Sequence, residues 1–176
     1  MRQSVIKHIR AVLILPFTVT LVVPALILYG SEGIRVHWGY GSALKITGLI
    51  AGGVLICSGL MLLIGTIRRF STEGRGTLAP WNPTEQLVVR GIYRYVRNPM
   101  ISGVIMILLG EAIVTGSFSV LLWGLFFLIF NMVYIPLSEE PGLGRRFGDD
   151  YLRYKRNVPR WIPRLKPWDS NQDTVE

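Results

Sequence analysis

The sequence predicts an all-α integral membrane protein of about four transmembrane helices, the last two a helical hairpin, followed by a cytoplasmic C-terminal amphipathic helix. Three observations predict it. Half of the 176 residues are hydrophobic and the mean hydropathy is +0.40, a membrane composition. The apolar residues are gathered in long runs, which a soluble core does not need. Seventeen of the 19 basic residues fall in residues 1–10, 68–99 and 142–176, and only Arg35 and Lys45 lie elsewhere. By the excess of Lys and Arg in cytoplasmic segments, those three stretches share the cytoplasmic side, which places both termini there. The net charge of +8 would suggest nucleic acid in a soluble chain; this distribution accounts for it without a nucleic-acid partner.

The first run, Ala11 to Tyr29, follows Arg2, Lys7 and Arg10. It is longer than the roughly 7–15 apolar residues of a signal peptide and ends without a small-residue cleavage site. It is read as a span kinked by Pro16 and Pro24, which neighbouring helices accommodate. Gly30 to Gly41 is a short polar loop with Glu32, Arg35 and His37. Ala43 to Ile67 is the second span, closed by Arg68 and Arg69. Its glycines, Gly48, Gly52, Gly53 and Gly59, suit close helix packing within the lobe, with Gly48 and Gly52 a small-xxx-small pair. Cys57, in the same run, reads as a small buried hydrophobe.

Residues 68–99 form the longest polar stretch between spans. Gly74, Gly76, Pro80, Trp81 and Pro83 predict an irregular loop, with a short helix expected from Thr84 through Glu85 to Leu87. Met100 to Thr115 is a short apolar run, Gly116-Ser117 a turn signal, and Phe118 to Leu137 a full-length run. Glu111, inside the first arm, is either a functional intramembrane charge or a residue that reaches the headgroups at the far end. In Arg146 to Tyr154, Phe147, Tyr151 and Tyr154 fall on one helical face, and Asp149 and Arg153 pair on the other. Pro159 stops this helix, and Trp161, Pro163, Pro167 and Trp168 read as an extended aromatic anchor at the membrane. One domain is expected: a two-helix part over residues 1–70, a core over 76–165 and a tail over 166–176.

Only two histidines, His8 and His37, and one cysteine are present. No metal site and no Cys-His or Ser-His pair is expected from them. What remains is a polar stretch, Arg90 to Gly103, that leads into the third run, and Glu139-Glu140 after the fourth. If the two runs form a hairpin, both features lie at one membrane face. Tyr93, Arg94, Tyr95, Arg97 and Asn98 would then face Glu139 and Glu140 beneath the amphipathic helix. Such a set can hold a ligand with acidic and basic parts; the same residues can also be ordinary interfacial anchors.

The string Gly-Ile-Tyr-Arg-Tyr-Val-Arg-Asn-Pro-Met at Gly91–Met100, the hairpin, Glu139-Glu140, and Phe147-Gly148-Asp149-Asp150-Tyr151-Leu152-Arg153-Tyr154 resemble, in that order, the isoprenylcysteine carboxyl methyltransferase family and its phospholipid methyltransferase relatives. The resemblance covers roughly residues 76–165. It implies an S-adenosylmethionine-dependent membrane methyltransferase whose cofactor enters from the cytoplasm and whose lipophilic or lipid substrate enters from the bilayer. By position, Tyr93, Asn98, Pro99, Met100 and Ile101 would line the cofactor pocket. Glu139 would contact the cofactor, Gln86, Leu87 and Val88 would contribute backbone, and Arg97 and Glu140 belong to the same set. Phe147, Tyr151 and Tyr154 would help to close the site. The resemblance assigns no catalytic residue.

Three positions depart from the family pattern. Asn98 stands where a His is usual, Ile101 where a Tyr is usual, and Ile135 where eukaryotic prenylcysteine enzymes place an arginine for the substrate carboxylate. The function implied is methyl transfer to a lipophilic acceptor, a carboxylate by preference. The alternatives are a phospholipid N-methyltransferase, an NADPH-using relative of the sterol reductases, and a non-catalytic membrane protein that keeps the fold. The short architecture suggests a bacterial inner membrane.

Overall fold

A computed structural model describes residues 13–30, 42–73 and 86–169. The basic N-terminal segment, the loop with His37, the stretch from Gly74 to Glu85 with Trp81, and the tail after Asp169 lie outside the described residues. Described elements follow in chain order. Helix α1 comprises Leu13–Val22, wound in wide turns, and its tighter continuation Val23–Gly30; α2 is Ser42–Glu73; a 3₁₀ turn covers Gly91–Arg94. Helix α3 is Pro99–Thr115, α4 is Phe118–Tyr134, a wide turn covers Ile135–Glu139, and α5 is Glu140–Asn157.

Among the described residues, Leu44–Arg69 and Phe118–Asn157 are helical stretches long and apolar enough to cross a membrane; Pro16–Gly30 and Pro99–Thr115 are shorter apolar helices. Their outward residues are large and apolar, Leu26, Ile50, Met61, Phe126 and Ile129 among them. This is the surface that lipid, and not water, favours.

Glycines set the register of α2 on α3. A Cβ on Gly52 would meet the Gly110 carbonyl at 2.9 Å, and one on Gly59 would meet the Gly103 carbonyl at 2.6 Å. The pairs run in opposite directions along the two helices, so α2 and α3 are antiparallel with backbones in contact. Packing within the lobe was the expected use of these glycines. The register differs from the expected small-xxx-small pair: Gly48 meets Ile113 only at 3.9 Å, and Gly53 faces open space. Leu63, Val104, Ile107 and Leu108 make the buried core of this crossing, with Val19, Met100, Trp123 and Phe127 packed against it. Cys57 is exposed, contrary to its reading as a buried hydrophobe.

Gly116 takes a left-handed conformation (φ 63°, ψ 24°) and ends α3, and Ser117 caps α4 by accepting from the Val120 amide. Both are what the turn signal called for. Gly124 of α4 lies against Leu108 of α3, and Trp123 Nε1 donates to the Val19 carbonyl at 3.1 Å, which ties α4 to α1.

Two elements run further than the sequence suggested. Helix α2 passes Arg68 and Arg69 to Glu73, since nothing before Gly74 breaks it. The chain also stays helical through Pro136 and Pro141, because a wide turn bridges them: the Glu140 amide donates to the Ile135 carbonyl five residues back. A wider turn lets a later N–H serve a carbonyl that proline cannot. Of the short helix expected over Thr84 to Leu87, only Gln86 and Leu87 are among the described residues, and both are irregular, as are Val88 and Val89.

Candidate functional site

Two distant pieces of sequence meet beside the first turn of α3. Arg97 comes two residues before Pro99, which is buried and opens the helix, a position where proline is tolerated. Glu140 starts α5, just beyond the wide turn. Arg97 Nη1 donates to Glu140 Oε1 at 2.9 Å and to the Tyr151 hydroxyl at 3.3 Å. Arg160 Nε donates to the same Oε1 at 2.8 Å, and Lys155 Nζ lies 2.7 Å from Oε2. Glu140 is only 4% exposed. Burial alone would raise its carboxyl, but its contacts with Lys155 and Arg160 and the charges of Arg97 and Arg160 hold it below the usual carboxylate range.

Glu139 has the opposite surroundings. Its side chain is exposed, yet protein crowds it at longer range. That crowding, together with the Glu140 charge, pushes its carboxyl above the usual range. The two carboxylates that read as one acidic feature in sequence are therefore a buried counter-ion and an outward-facing acceptor.

The loop before α3 is shaped from both sides. Gly91 has φ 55°, and a Cβ there would fall within the Arg69 guanidinium at the end of α2, so only glycine fits. On the other side, α5 covers the loop. Tyr154 Oη donates to the Tyr93 carbonyl at 2.7 Å, and Tyr151, Tyr154, Val158 and Trp168 form a buried cluster with Leu87, Val89, Leu143 and Phe147 against it. The expected aromatic face of Phe147, Tyr151 and Tyr154 is thus in place. It is interrupted at Gly148 (φ 55°, ψ −131°), which breaks α5 into two helical pieces. Burial raises the hydroxyl pKa of Tyr93 and Tyr154, and burial together with the nearby Glu140 charge pushes that of Tyr151 up to about 12. All three are neutral hydrogen-bonding groups near pH 7.

The remaining site positions divide. Val88 is buried and Leu87 half-buried, whereas Gln86 is exposed. Asn98 makes no side-chain cap to α3; its carbonyl accepts from the Ser102 amide and hydroxyl, both at 3.1 Å. Met100 turns towards the core between α2 and α3, and Ile101 is half-buried. Ile135 is 1% exposed, so the position where prenylcysteine enzymes carry an arginine holds a buried aliphatic side chain. Glu111 is remote from this cluster, half-buried near the other end of α3, with Oε2 buried and without a hydrogen-bond partner among the described residues.

Sequence reasoning missed the segment after α5. Residues 158–169 form a strap across the loop: the Arg97 amide donates to the Pro159 carbonyl at 2.9 Å, the Arg164 amide to the Tyr95 carbonyl at 3.0 Å, and the Trp168 amide to the Arg94 carbonyl at 2.9 Å. Arg94 Nε returns a bond to the Trp168 carbonyl at 2.6 Å, and its Nη2 meets Asp169 at 3.2 Å. Trp168, expected as a membrane anchor, is 6% exposed and packs on Tyr154. Its burial with an apolar cluster under a fixed backbone overrides its interfacial preference.

The family described as "Phospholipid methyltransferase" matches residues 47–150, more than half of the chain. The chain belongs to the phospholipid methyltransferase family. In this family member the matched region takes in α2 from Thr47 onward, the Arg97–Glu140 meeting point and the first piece of α5. The chain is also similar to Protein-S-isoprenylcysteine O-methyltransferase of Schizosaccharomyces pombe (strain 972 / ATCC 24843), at 40% identity over 83 residues. That match covers 47% of this chain and 35% of the yeast protein, so the chain accounts for about a third of that relative's length. Family membership and the apolar helices together make this a membrane protein of methyltransferase type.

Proposed function

We propose that this chain transfers a methyl group from S-adenosylmethionine to a lipophilic acceptor at the cytoplasmic face of the membrane. In this reading α1 to α4 are four spans, with α3 and α4 a hairpin and both termini cytoplasmic. The observation that carries it is the 2.9 Å contact between Arg97 and Glu140, which joins the two motifs of the resemblance inside the family-matched region.

The donor set fits the cofactor. Glu139 offers an outward-facing carboxylate to hydroxyls or an ammonium, and Arg97 has a buried Nε without a hydrogen-bond partner among the described residues, suited to a carboxylate. Tyr93, the backbone of Gln86, Leu87 and Val88, and the first turn Asn98, Pro99, Met100 and Ile101 would line the remainder. Tyr151 and Tyr154 act as positioning residues, Tyr151 on the Arg97 guanidinium and Tyr154 on the Tyr93 carbonyl. When bound, the cofactor supplies an electrophilic methyl group on a sulfonium sulfur.

The protein's share of the work is to hold the acceptor in line with that methyl group and to exclude water, and correct placement supplies most of the acceleration in a displacement of this kind. A carboxylate acceptor is already ionised and needs no base, and a water-poor site favours the meeting of opposite charges. Glu140, surrounded by three cations, is a poor proton acceptor, which agrees with an acceptor that needs none. Ile135 supplies no cation for a prenylcysteine carboxylate, so the acceptor named for the yeast relative is a candidate and not the default.

A second reading, methylation of a phospholipid amine, is favoured by the family description. There the amine must lose a proton, and Glu139, with its raised carboxyl, is placed to take it. Membranes containing the chain and methyl-labelled S-adenosylmethionine separate the two. Lipid-borne label released as methanol by mild base supports a carboxylate acceptor, and base-stable label on headgroup amines supports the second reading. Incorporation no greater than with Glu139→Ala contradicts both.

A further inference from the structure

Ile162 and Leu165 are 80% and 100% exposed, although the strap that carries them is fixed. Arg164, between them, is tied inward twice: its amide donates to the Tyr95 carbonyl at 3.0 Å and its guanidinium to the Asn157 carbonyl at 2.7 Å. The flanking bonds of Arg97 to Pro159 and of Trp168 to Arg94 hold both ends. The exposure of the two aliphatic side chains is therefore a property of an ordered backbone and not of a frayed end. Leu152 of α5 is also 47% exposed.

The surroundings are basic. Residues 145–169 hold eight basic residues against Asp149, Asp150 and Asp169, and Arg145, Arg146, Lys155, Arg156 and Lys166 are exposed. The depth of the strap is set by what it binds: residues 94–97 lead within two residues into Pro99, the start of apolar helix α3. If α3 is a span, a segment bonded to that loop would sit at headgroup level, where outward aliphatic side chains meet acyl chains and outward basic side chains meet phosphates.

We infer that the strap, residues 158–169, is seated in the bilayer surface as a wedge: Ile162 and Leu165 enter the acyl boundary of a leaflet containing anionic phospholipid, and Arg156 and Lys166 engage its headgroups. The seat bears on the site, because the strap's first bond is to the Arg97 amide, and Arg97 carries the Glu140 pair. Leaflet charge thereby gains a route to the candidate site. This follows from the membrane reading alone and does not depend on methyl transfer.

The test uses the full chain in nanodiscs, with a polarity-sensitive fluorophore placed through Ile162→Cys or Leu165→Cys in a Cys57→Ser background. Asp150→Cys provides an exposed reference on α5. In phosphatidylcholine containing phosphatidylglycerol, labels at 162 and 165 should emit to the blue. They should be quenched several-fold more by a nitroxide-bearing lipid than by aqueous iodide, with the order reversed at 150. Arg156→Gln with Lys166→Gln, or a bilayer of phosphatidylcholine alone, should lower the lipid quenching several-fold. Iodide-accessible labels at 162 and 165, matching position 150, would overturn the wedge. Equal lipid quenching in the two bilayers would overturn the requirement for anionic lipid.

Discussion

Glu140 accepts hydrogen bonds from Arg97 and Arg160 in a buried setting, and its neighbour Glu139 faces outward. The lowered carboxyl of Glu140 fixes a sign. With a folded-state value below the ordinary 4.5, its contribution to stability is complete above that pH and is lost as pH falls through the folded value. The detergent-solubilised protein should therefore hold a constant unfolding midpoint near neutrality and lose it on strong acidification. Glu140→Gln should remove that acid limb and cost about 3–5 kcal/mol, since it leaves the Arg97 guanidinium buried without its counter-charge. A midpoint unchanged by the substitution would show that the ion cluster is not structural. Glu139 gives the opposite experiment. Its raised carboxyl means that ligand binding which needs the ionised form should weaken on acidification from a pH above 4.5, and Glu139→Gln should remove this dependence while leaving the fold intact. The sequence showed the pair as a single acidic feature. It could not show the division of labour, because two of the three cations around Glu140, Lys155 and Arg160, lie 15 and 20 residues further on.

At the scale of elements, the helix pairing rests on Gly52 and Gly59 against Gly110 and Gly103. Gly59→Val would drive a side chain into the Gly103 carbonyl and should cost about 1–3 kcal/mol or more. Gly53→Val, with nothing within 4 Å of its Cβ, should be near neutral, and unfolding midpoints of the two variants measure the contrast. The apolar helices, the turn at Gly116-Ser117 and the aromatic spacing of α5 were legible, since each depends on local residue type and periodicity. Helix register was not legible, because five glycines in one run offer several faces and only the partner helix selects one. The strap's attachment to the loop was not legible either: the three bonds that lay it across the loop are backbone to backbone, and the prolines and tryptophans of 158–169 do not specify them. Trp168→Ala should cost about 3–5 kcal/mol in the local cluster. It should free the strap for proteolysis at Arg160, Arg164 and Lys166, while the helices in the bilayer stay protected. Cleavage no faster than in the parent protein would mean that Trp168 does not latch it.

For the whole molecule, the apolar helices bring the arginine-rich loop and the glutamate pair, more than 40 residues apart, to one place, and α5 with its strap closes over them. The gathering of basic residues into three segments would put this assembly on the cytoplasmic side of the proposed four-span arrangement. On the proposed reading, the exposed carboxylate of Glu139, next in the chain to the Glu140 that pairs with Arg97, would take the basic part of the cofactor and Arg97 its acidic part. The most direct measurement is calorimetric titration of the detergent-purified protein with S-adenosylhomocysteine, alongside Glu139→Ala and an NADPH control. Saturable binding of S-adenosylhomocysteine, its loss in the variant and no binding of NADPH are the expected results; a folded protein that binds no S-adenosylhomocysteine, or binds it equally well without Glu139, would contradict the proposed site.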